Sequence, residues 1–454
     1  MKRTVDMTLG SPTRHILKFA FPLIITNIGQ QLYMIVDAAI VGRGVGVDAL
    51  AAVGATDWSY WMILWTVTGI TQGFATFVSR YFGDKNYKAM NRAIATSVVL
   101  CAVIGSVLTV AGIFAARPVL NLLNTPTEII DDANIYLVTM ISGTLVVAAY
   151  NMAASILRAF GDGRTPLIAM VIAALLNIGL DCLFVFLFDM EIFGAALASV
   201  LSQAVSFVYC VICIKKIDCI ELTRDCWRPD RARIKNMLLL GTPVALQNMV
   251  LALGGIILQS SINLQGRIFI AGYTATNKVY GLMESCALSV GMACATFLSQ
   301  NYGAGLRDRV KQGTAAAVRI VTVMAFAIIG LLLLVKRPLL TLFLDTSEEG
   351  AALALDKAVR YLTIMACFLV ILYYLHVFRN ALLAMEIGKW SMISGISEFF
   401  SRVIMSKVVI NYIGSDALFI SEPVAWLGSM LCVMLPYFYY RSKLLSGGKE
   451  KELT

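Results

Sequence analysis

Apolar residues run along this chain in long blocks, with polar and charged residues gathered in short clusters between them. The blocks fall at about 14–42, 49–78, 90–116, 130–157, 166–188, 192–214, 237–262, 270–299, 313–335, 357–383, 390–413 and 417–440. Each can cross a ~30 Å hydrocarbon layer as a helix, which takes about 20 residues at 1.5 Å apiece. Backbone groups facing lipid must bond within their own segment, and connectors this short leave no pattern for a closed barrel. The pattern predicts an all-α integral membrane protein with 12 transmembrane helices.

The pattern is also written twice. Residues 51–123 return at 271–343: Ala75-Thr76-Phe77-Val78-Ser79-Arg80-Tyr81-Phe82-Gly83 becomes Ala295-Thr296-Phe297-Leu298-Ser299-Gln300-Asn301-Tyr302-Gly303, and Arg117-Pro118 becomes Arg337-Pro338. Pro22 and Asn27 recur as Pro243 and Asn248. A half that repeats with its helix breakers in register predicts two pseudo-symmetric six-helix bundles with the function between them. The expected organisation is an N-lobe at 1–215, a cytoplasmic linker at 216–236, a C-lobe at 237–441 and a cytoplasmic tail at 442–454.

Composition agrees, since 59% hydrophobic and 14% charged residues leave too little polar surface for one water-soluble core. Lys and Arg concentrate in the termini and the even-numbered loops, which predicts a multi-pass protein of the cell inner or plasma membrane with both termini cytoplasmic. The net charge of +9 reflects that bias and implies no nucleic-acid partner. The linker, with Lys215, Lys216, Arg224, Arg228, Arg231, Arg233 and Lys235, is expected to lie against anionic lipid headgroups. The first apolar run is too long for a cleavable signal and contains Asp37, so it reads as a first span. The ten cysteines, including Cys210 and Cys213, read as buried thiols.

No Walker loop, His-Glu-x-x-His, Gly-x-Ser-x-Gly or dinucleotide fingerprint occurs, which argues against an enzyme and implies no cofactor. Of the two histidines, His15 precedes the first span and His376 reads as packed among Tyr373, Tyr374 and Phe378.

Ionised groups cost several kcal/mol inside hydrocarbon unless paired, protonated or wet, so intramembrane acids call for a reason. Asp37 and Asp181 both sit roughly 7–11 Å inside the same boundary at 1.5 Å per residue. Asn177 lies one turn before Asp181 on its face, and Ser199 enters the sixth span at similar depth. Four oxygen-bearing side chains at one level suit a small hard cation such as Na⁺, or a carboxyl that exchanges H⁺. An Asp37–Arg43 ion pair is the structural alternative. Pro22 removes a helix hydrogen bond upstream of Asp37 and makes either a hinge or a static kink.

These residues resemble a family. Pro22, Asn27, Gln31-Leu32-Tyr33-Met34-Ile35-Val36-Asp37, Leu157-Arg158-Ala159-Phe160-Gly161-Asp162-Gly163-Arg164-Thr165-Pro166 and Leu176-Asn177-Ile178-Gly179-Leu180-Asp181 are similar to the multidrug and toxic compound extrusion (MATE) family, DinF-like branch, across about residues 10–440. The resemblance implies a central cavity between the bundles that opens alternately to each side, and export of organic cations driven by inward H⁺ or Na⁺. It places Asp37, Asn177, Asp181 and Ser199 in the first-lobe cation site. Ser199 stands where the pattern often has Thr, which keeps the oxygen.

The second lobe departs further. Leu382-Leu383-Ala384-Met385-Glu386-Ile387-Gly388-Lys389-Trp390 lacks the arginine and proline of the first-lobe loop, and the NorM-like acids of spans seven and ten are missing. Coupling is therefore expected in the first lobe. The resemblance brings spans two and eight to where the lobes meet, suggesting that Lys278 faces Asp57 across the cavity and that Glu284 meets a cationic substrate. Lys278 and Glu284 lie about 240° apart on their helix and cannot simply pair. Trp58, Trp61 and Trp65 form a stripe that either stacks on a flat cation or belongs to an interfacial belt. Glu398 and Arg402, at i and i+4, read as a structural ion couple.

The expected function is a monomeric secondary antiporter that exports small organic cations, drugs or amphipathic compounds. A flippase for a lipid-linked precursor is the alternative, and it would favour a cationic cavity where this chain places acids.

Overall fold

Every regular element among the described residues is helical, as the long apolar blocks dictate. The computed structural model describes residues 4–123, 125–343 and 350–445, with the backbone alone at 38, 43, 47, 444 and 445. The helices are α1 (Pro12–Gly44), α2 (Val47–Gly83), α3 (Tyr87–Leu122), α4 (Ile130–Ser142), α5 (Thr144–Ala159), α6 (Arg164–Asp181), α7 (Glu191–Ile214), α8 (Arg231–Asn263), α9 (Arg267–Gly303), α10 (Arg307–Leu340), α11 (Ala351–Ala384), α12 (Lys389–Ile404), α13 (Ile410–Ile413) and α14 (Asp416–Leu445). Most outrun the apolar blocks by a turn or more, because helix continues into the polar ends.

Among the described residues, ten helices are long and apolar enough to cross a membrane, and the bent pair α4–α5 makes an eleventh span. The twelfth, residues 389–413, is helical throughout but carries Glu398, Arg402 and Lys407, so composition alone does not mark it. The predicted fourth span is broken by 44° at Gly143. A Cβ there would lie 2.4 Å from the Val200 side chain of α7, so only glycine lets the two helices meet. After α6 the helix loosens into a π turn at Cys182–Leu187, and after α12 into another at Met405–Val409. The duplicated sequence thus yields the same irregularity twice.

The chain packs into two compact units. The first holds residues through Met7 and Ile25–Ala245; the second holds Thr8–Ile24 and the chain from Leu246 on. Of the three boundaries, the one between Met7 and Thr8 lies in the turn before α1, and the other two are not in loops. One falls inside α1 and the other inside α8, in each case just after the proline, Pro22 or Pro243.

In the first unit α2 and α8 meet through small residues one turn apart, Gly69 and Gly73 against Gly241 and Ala245. A Cβ on Gly73 would come within 2.5 Å of the Gly241 Cα, so glycine permits backbone contact where lipid offers no hydrophobic drive. Asp162 caps α6: its Oδ1 accepts from the backbone N–H groups of Arg164 and Thr165, both at 3.0 Å. The linker does not hang free. The Asn91 amide donates to the Cys219 carbonyl (3.2 Å) and accepts from the Glu221 N–H (3.3 Å), and buried Cys226 packs nearby. Burial pushes the Cys219 thiol up from its ordinary value. The second unit is built around stacked rings, with Tyr361 between Tyr273 (4.7 Å between centroids) and Phe419 (5.3 Å).

Candidate functional site

The first unit brings four of the expected residues together. Asp37 and Asp181 are each followed one turn later by a core residue, Val41 and Val185, and residues four apart share a helix face. Each carboxyl is thereby turned toward the packed interior. Asn177 and Asp181 are fully buried and Ser199 nearly so. The Asn177 amide donates to the Ser199 hydroxyl at 3.2 Å and lies within hydrogen-bonding reach of Asp37, and the Asp37 and Asp181 carboxyls reach each other. As ionised groups both carboxyls only accept, and most of their oxygens lack a partner: Oδ1 of Asp37, both oxygens of Asp181 and Oδ1 of Asn177 are buried without one. An orphaned buried polar oxygen costs about 1–3 kcal/mol, and a charged one more. One shared proton turns the carboxyl pair into a hydrogen bond, and a monovalent cation satisfies several of these oxygens together.

Sequence reasoning missed the tyrosines around this cluster. Tyr33 lies one turn before Asp37 and bonds to the Ser199 hydroxyl, which already accepts from Asn177 and so has its own proton to give. The i, i+4 relation of Tyr33 to Asp37 was the available signal. Tyr136 of α4 is within electrostatic reach of Asp37, Tyr33, Tyr60 and Asp57. Asp57 itself is exposed on α2.

The second unit holds a different arrangement. The Glu398–Arg402 couple exists at 3.6 Å, but it is the weakest edge of a larger network. Arg402 makes a two-pronged bond to Glu422 (3.0 and 2.9 Å) and donates to the Leu251 carbonyl at 3.2 Å. Arg379 of α11 donates to Glu398 at 2.5 Å and to Ser429 at 3.0 Å. With its amide oriented to satisfy both ends, Gln247 donates to the Ser391 carbonyl and accepts from Arg379. Two guanidiniums thus answer two carboxylates in a closed set.

Glu284 lies outside that set, half-buried, bonded to the Tyr280 hydroxyl and 3.9 Å from Nε2 of buried His376. Lys278 is exposed on the same helix. Trp58 and Trp61 are partly buried, and the Trp61 and Trp65 rings sit 5.5 Å apart at 56°. Pro22 lies inside α1. The Arg43 side chain, the suggested alternative partner of Asp37, lies outside the described residues. No group of three or more His, Cys, Asp and Glu that could hold a metal ion exists among the described residues. All ten cysteines are free thiols.

The chain was compared with known families and structures. The model of the MatE family matches residues 22–183 and 243–412, once in each half. The probable multidrug resistance protein YpnP of Bacillus subtilis (strain 168) is 29% identical over 311 residues, 68% of this chain and 69% of its own length. A crystal structure of MATE in complex with MaL6 is 21% identical with a TM-score of 0.90, covering 98% of this chain and 100% of that one. A MOP superfamily transporter from Pyrococcus furiosus Vc1, whose reversed binding-pocket polarity suggests a different function for it, is 22% identical with a TM-score of 0.89 over 97% of this chain and 98% of that one.

Proposed function

Because the chain belongs to the MatE family of multidrug efflux transporters, and is a multi-pass membrane transporter rather than an enzyme, we propose that it is an antiporter that exports organic cations in exchange for H⁺ or Na⁺. Coupling takes place at Asp37, Asp181, Asn177 and Ser199. One observation carries this reading: Oδ1 of Asp37, both carboxyl oxygens of Asp181 and the amide oxygen of Asn177 are buried without a hydrogen-bond partner. Such a cluster gains by taking up a proton or a small cation and loses by releasing it, so its occupancy can drive a change of shape. Pro22 of α1, 15 residues before Asp37, gives that helix a point of bending, and the unit boundary just beyond it supports the same view. The termini are cytoplasmic in this reading, and the acids fit cationic cargo better than the pyrophosphate of a lipid-linked precursor.

The test uses protein reconstituted in liposomes, with a pH gradient or a Na⁺ gradient imposed separately and efflux of ethidium followed by fluorescence. Wild type should respond to at least one gradient, and Asp37→Asn should lose that response while still binding ethidium. A variant driven as well as the parent by either gradient removes the cluster from coupling.

A further inference from the structure

One arginine of the first unit has no acid. Arg158, the last residue but one of α5, is partly buried, and its Nη2 donates to the hydroxyl of buried Ser155 at 2.9 Å. The ionisable groups that act on it are Tyr150 and Cys210, both uncharged, and no carboxylate pairs with it among the described residues. Asp162, four residues on, is committed to α6: Oδ1 accepts from the N–H groups of Arg164 and Thr165, and Oδ2 from the Thr165 hydroxyl. A guanidinium stays protonated in a protein, and a cation withdrawn from water without a counter-charge is costly.

The local backbone does not require this arginine. After α5 the chain turns with the Gly161 N–H on the Arg158 carbonyl (2.9 Å) and the Asp162 N–H on the Leu157 carbonyl (3.0 Å), and Gly161 is left-handed at φ 76°. The turn after α11 repeats this pattern: the Glu386 N–H meets the Leu383 carbonyl at 2.9 Å, the Ile387 N–H meets the Leu382 carbonyl at 3.0 Å, and Glu386 stands at φ 62°. There the place of Arg158 is taken by buried Leu383. One turn geometry thus forms on an apolar side chain as well as on a charged one, so the charge at 158 answers to something other than folding of the turn.

We propose that Arg158 anchors an anion site in the first unit that takes a phosphate group, carried by a membrane phospholipid or by a phosphorylated solute. The proposal goes beyond the export reading and stands on other residues. With Nη2 on Ser155, the Nε and Nη1 groups keep no protein partner, and a guanidinium fork matches two phosphate oxygens at once. Arg158 follows directly on the fourth apolar block, which ends near 157, so the fork sits where hydrocarbon gives way to headgroups. Two other helix ends add positive charge at this level. The Ser206 hydroxyl donates to the Ala169 carbonyl at 2.8 Å, which sets α6 against α7 and brings Arg164 level with Val211, a turn short of Lys215 and Lys216. All three are exposed and serve to attract anions, while the partly buried Arg158 holds them. The acids do not oppose this, because Asp181 lies at the far end of α6, about 25 Å along the helix from Arg164.

Two measurements on the delipidated full-length protein in a neutral detergent test the site. The first is calorimetric binding of dioctanoyl phosphatidic acid and of phenyl phosphate, with dioctanoylglycerol as the lipid that lacks phosphate. Wild type should bind a phosphate compound, and Arg158→Leu should bind it about ten-fold more weakly or worse. Binding of phosphatidic acid alone assigns the site to membrane lipid, and binding of phenyl phosphate as well assigns it to solutes. Wild type that binds neither, dioctanoylglycerol that binds as tightly as phosphatidic acid, or an Arg158→Leu variant with wild-type affinity overturns the proposal. The second measurement is thermal unfolding, which separates a ligand site from a structural role. Because Leu383 supports the same turn, Arg158→Leu without phosphate should unfold at or above the wild-type midpoint, and phosphatidic acid should raise the midpoint of wild type only. A variant midpoint several degrees below wild type would show that the protein itself compensates Arg158, and that result also overturns the site.

Discussion

Replacing Arg402 by methionine should do more damage than the loss of a single surface charge would. Arg402 satisfies both oxygens of Glu422, which is 8% exposed, at 3.0 and 2.9 Å, and it also caps the Leu251 carbonyl. Methionine fills most of the volume but leaves Glu422 as a buried charge without its cation. Breaking a buried pair from one side costs about 3–5 kcal/mol. Glu422→Leu should cost less, about 1–3 kcal/mol, because Arg402 keeps Glu398 at 3.6 Å and gains nothing worse than a longer bond. The double variant removes both charges and should return close to the parent, since apolar replacements of buried pairs are often neutral. The predicted coupling is therefore at least about 2 kcal/mol. Thermal unfolding in detergent can be followed through reaction of a thiol-sensitive fluorophore with buried cysteines such as Cys294. For a lobe of this size, Arg402→Met should lower the midpoint by roughly 6–20 °C. A loss under about 2 °C, or a double variant whose loss is the sum of the two singles, would refute the argument that desolvated charge dominates this region.

Two further outcomes follow from packing. Asn91→Ala removes two hydrogen bonds that hold the linker, worth about 1–3 kcal/mol together; proteolysis between Cys219 and Arg228 should accelerate several-fold, and an unchanged cleavage rate would mean that the linker is held by something else. Gly73→Leu places carbon 2.5 Å from the Gly241 backbone and should abolish monodisperse protein, whereas Gly54→Ala, with nothing within 4 Å of the new Cβ, should express as the parent does; equal yields would contradict the α2–α8 contact.

Length and apolarity made the spans legible, and the duplication was visible because Pro22 and Pro243, and the two Thr-Phe segments, kept their spacing. The acid cluster was legible in part: Asn177 and Asp181 share a face by spacing, and matched depth put Asp37 and Ser199 beside them. What stayed hidden depends on contacts between distant residues. The glycine at the Gly143 break is demanded by Val200, which leaves no room for a Cβ, and the ion network takes its strongest bonds from Arg379 and Glu422, on helices other than that of the visible Glu398–Arg402 couple. Spacing along α9 showed only that Glu284 and Lys278 diverge. It had no means of finding His376, which lies more than ninety residues on.

The unit boundaries inside α1 and α8 have a consequence for what counts as half of this molecule. A chain cut within the exposed part of the linker, after Arg228, yields two fragments, and neither is a lobe: the first fragment carries Thr8–Ile24, which completes the second unit, and the second fragment carries the stretch up to Ala245, which completes the first. Each piece therefore lends the other a helical segment, as partners do in a domain-swapped dimer. Co-expressed as separate polypeptides, the two should assemble into one transporter, and fragments trimmed to whole lobes by deleting the borrowed segments should not.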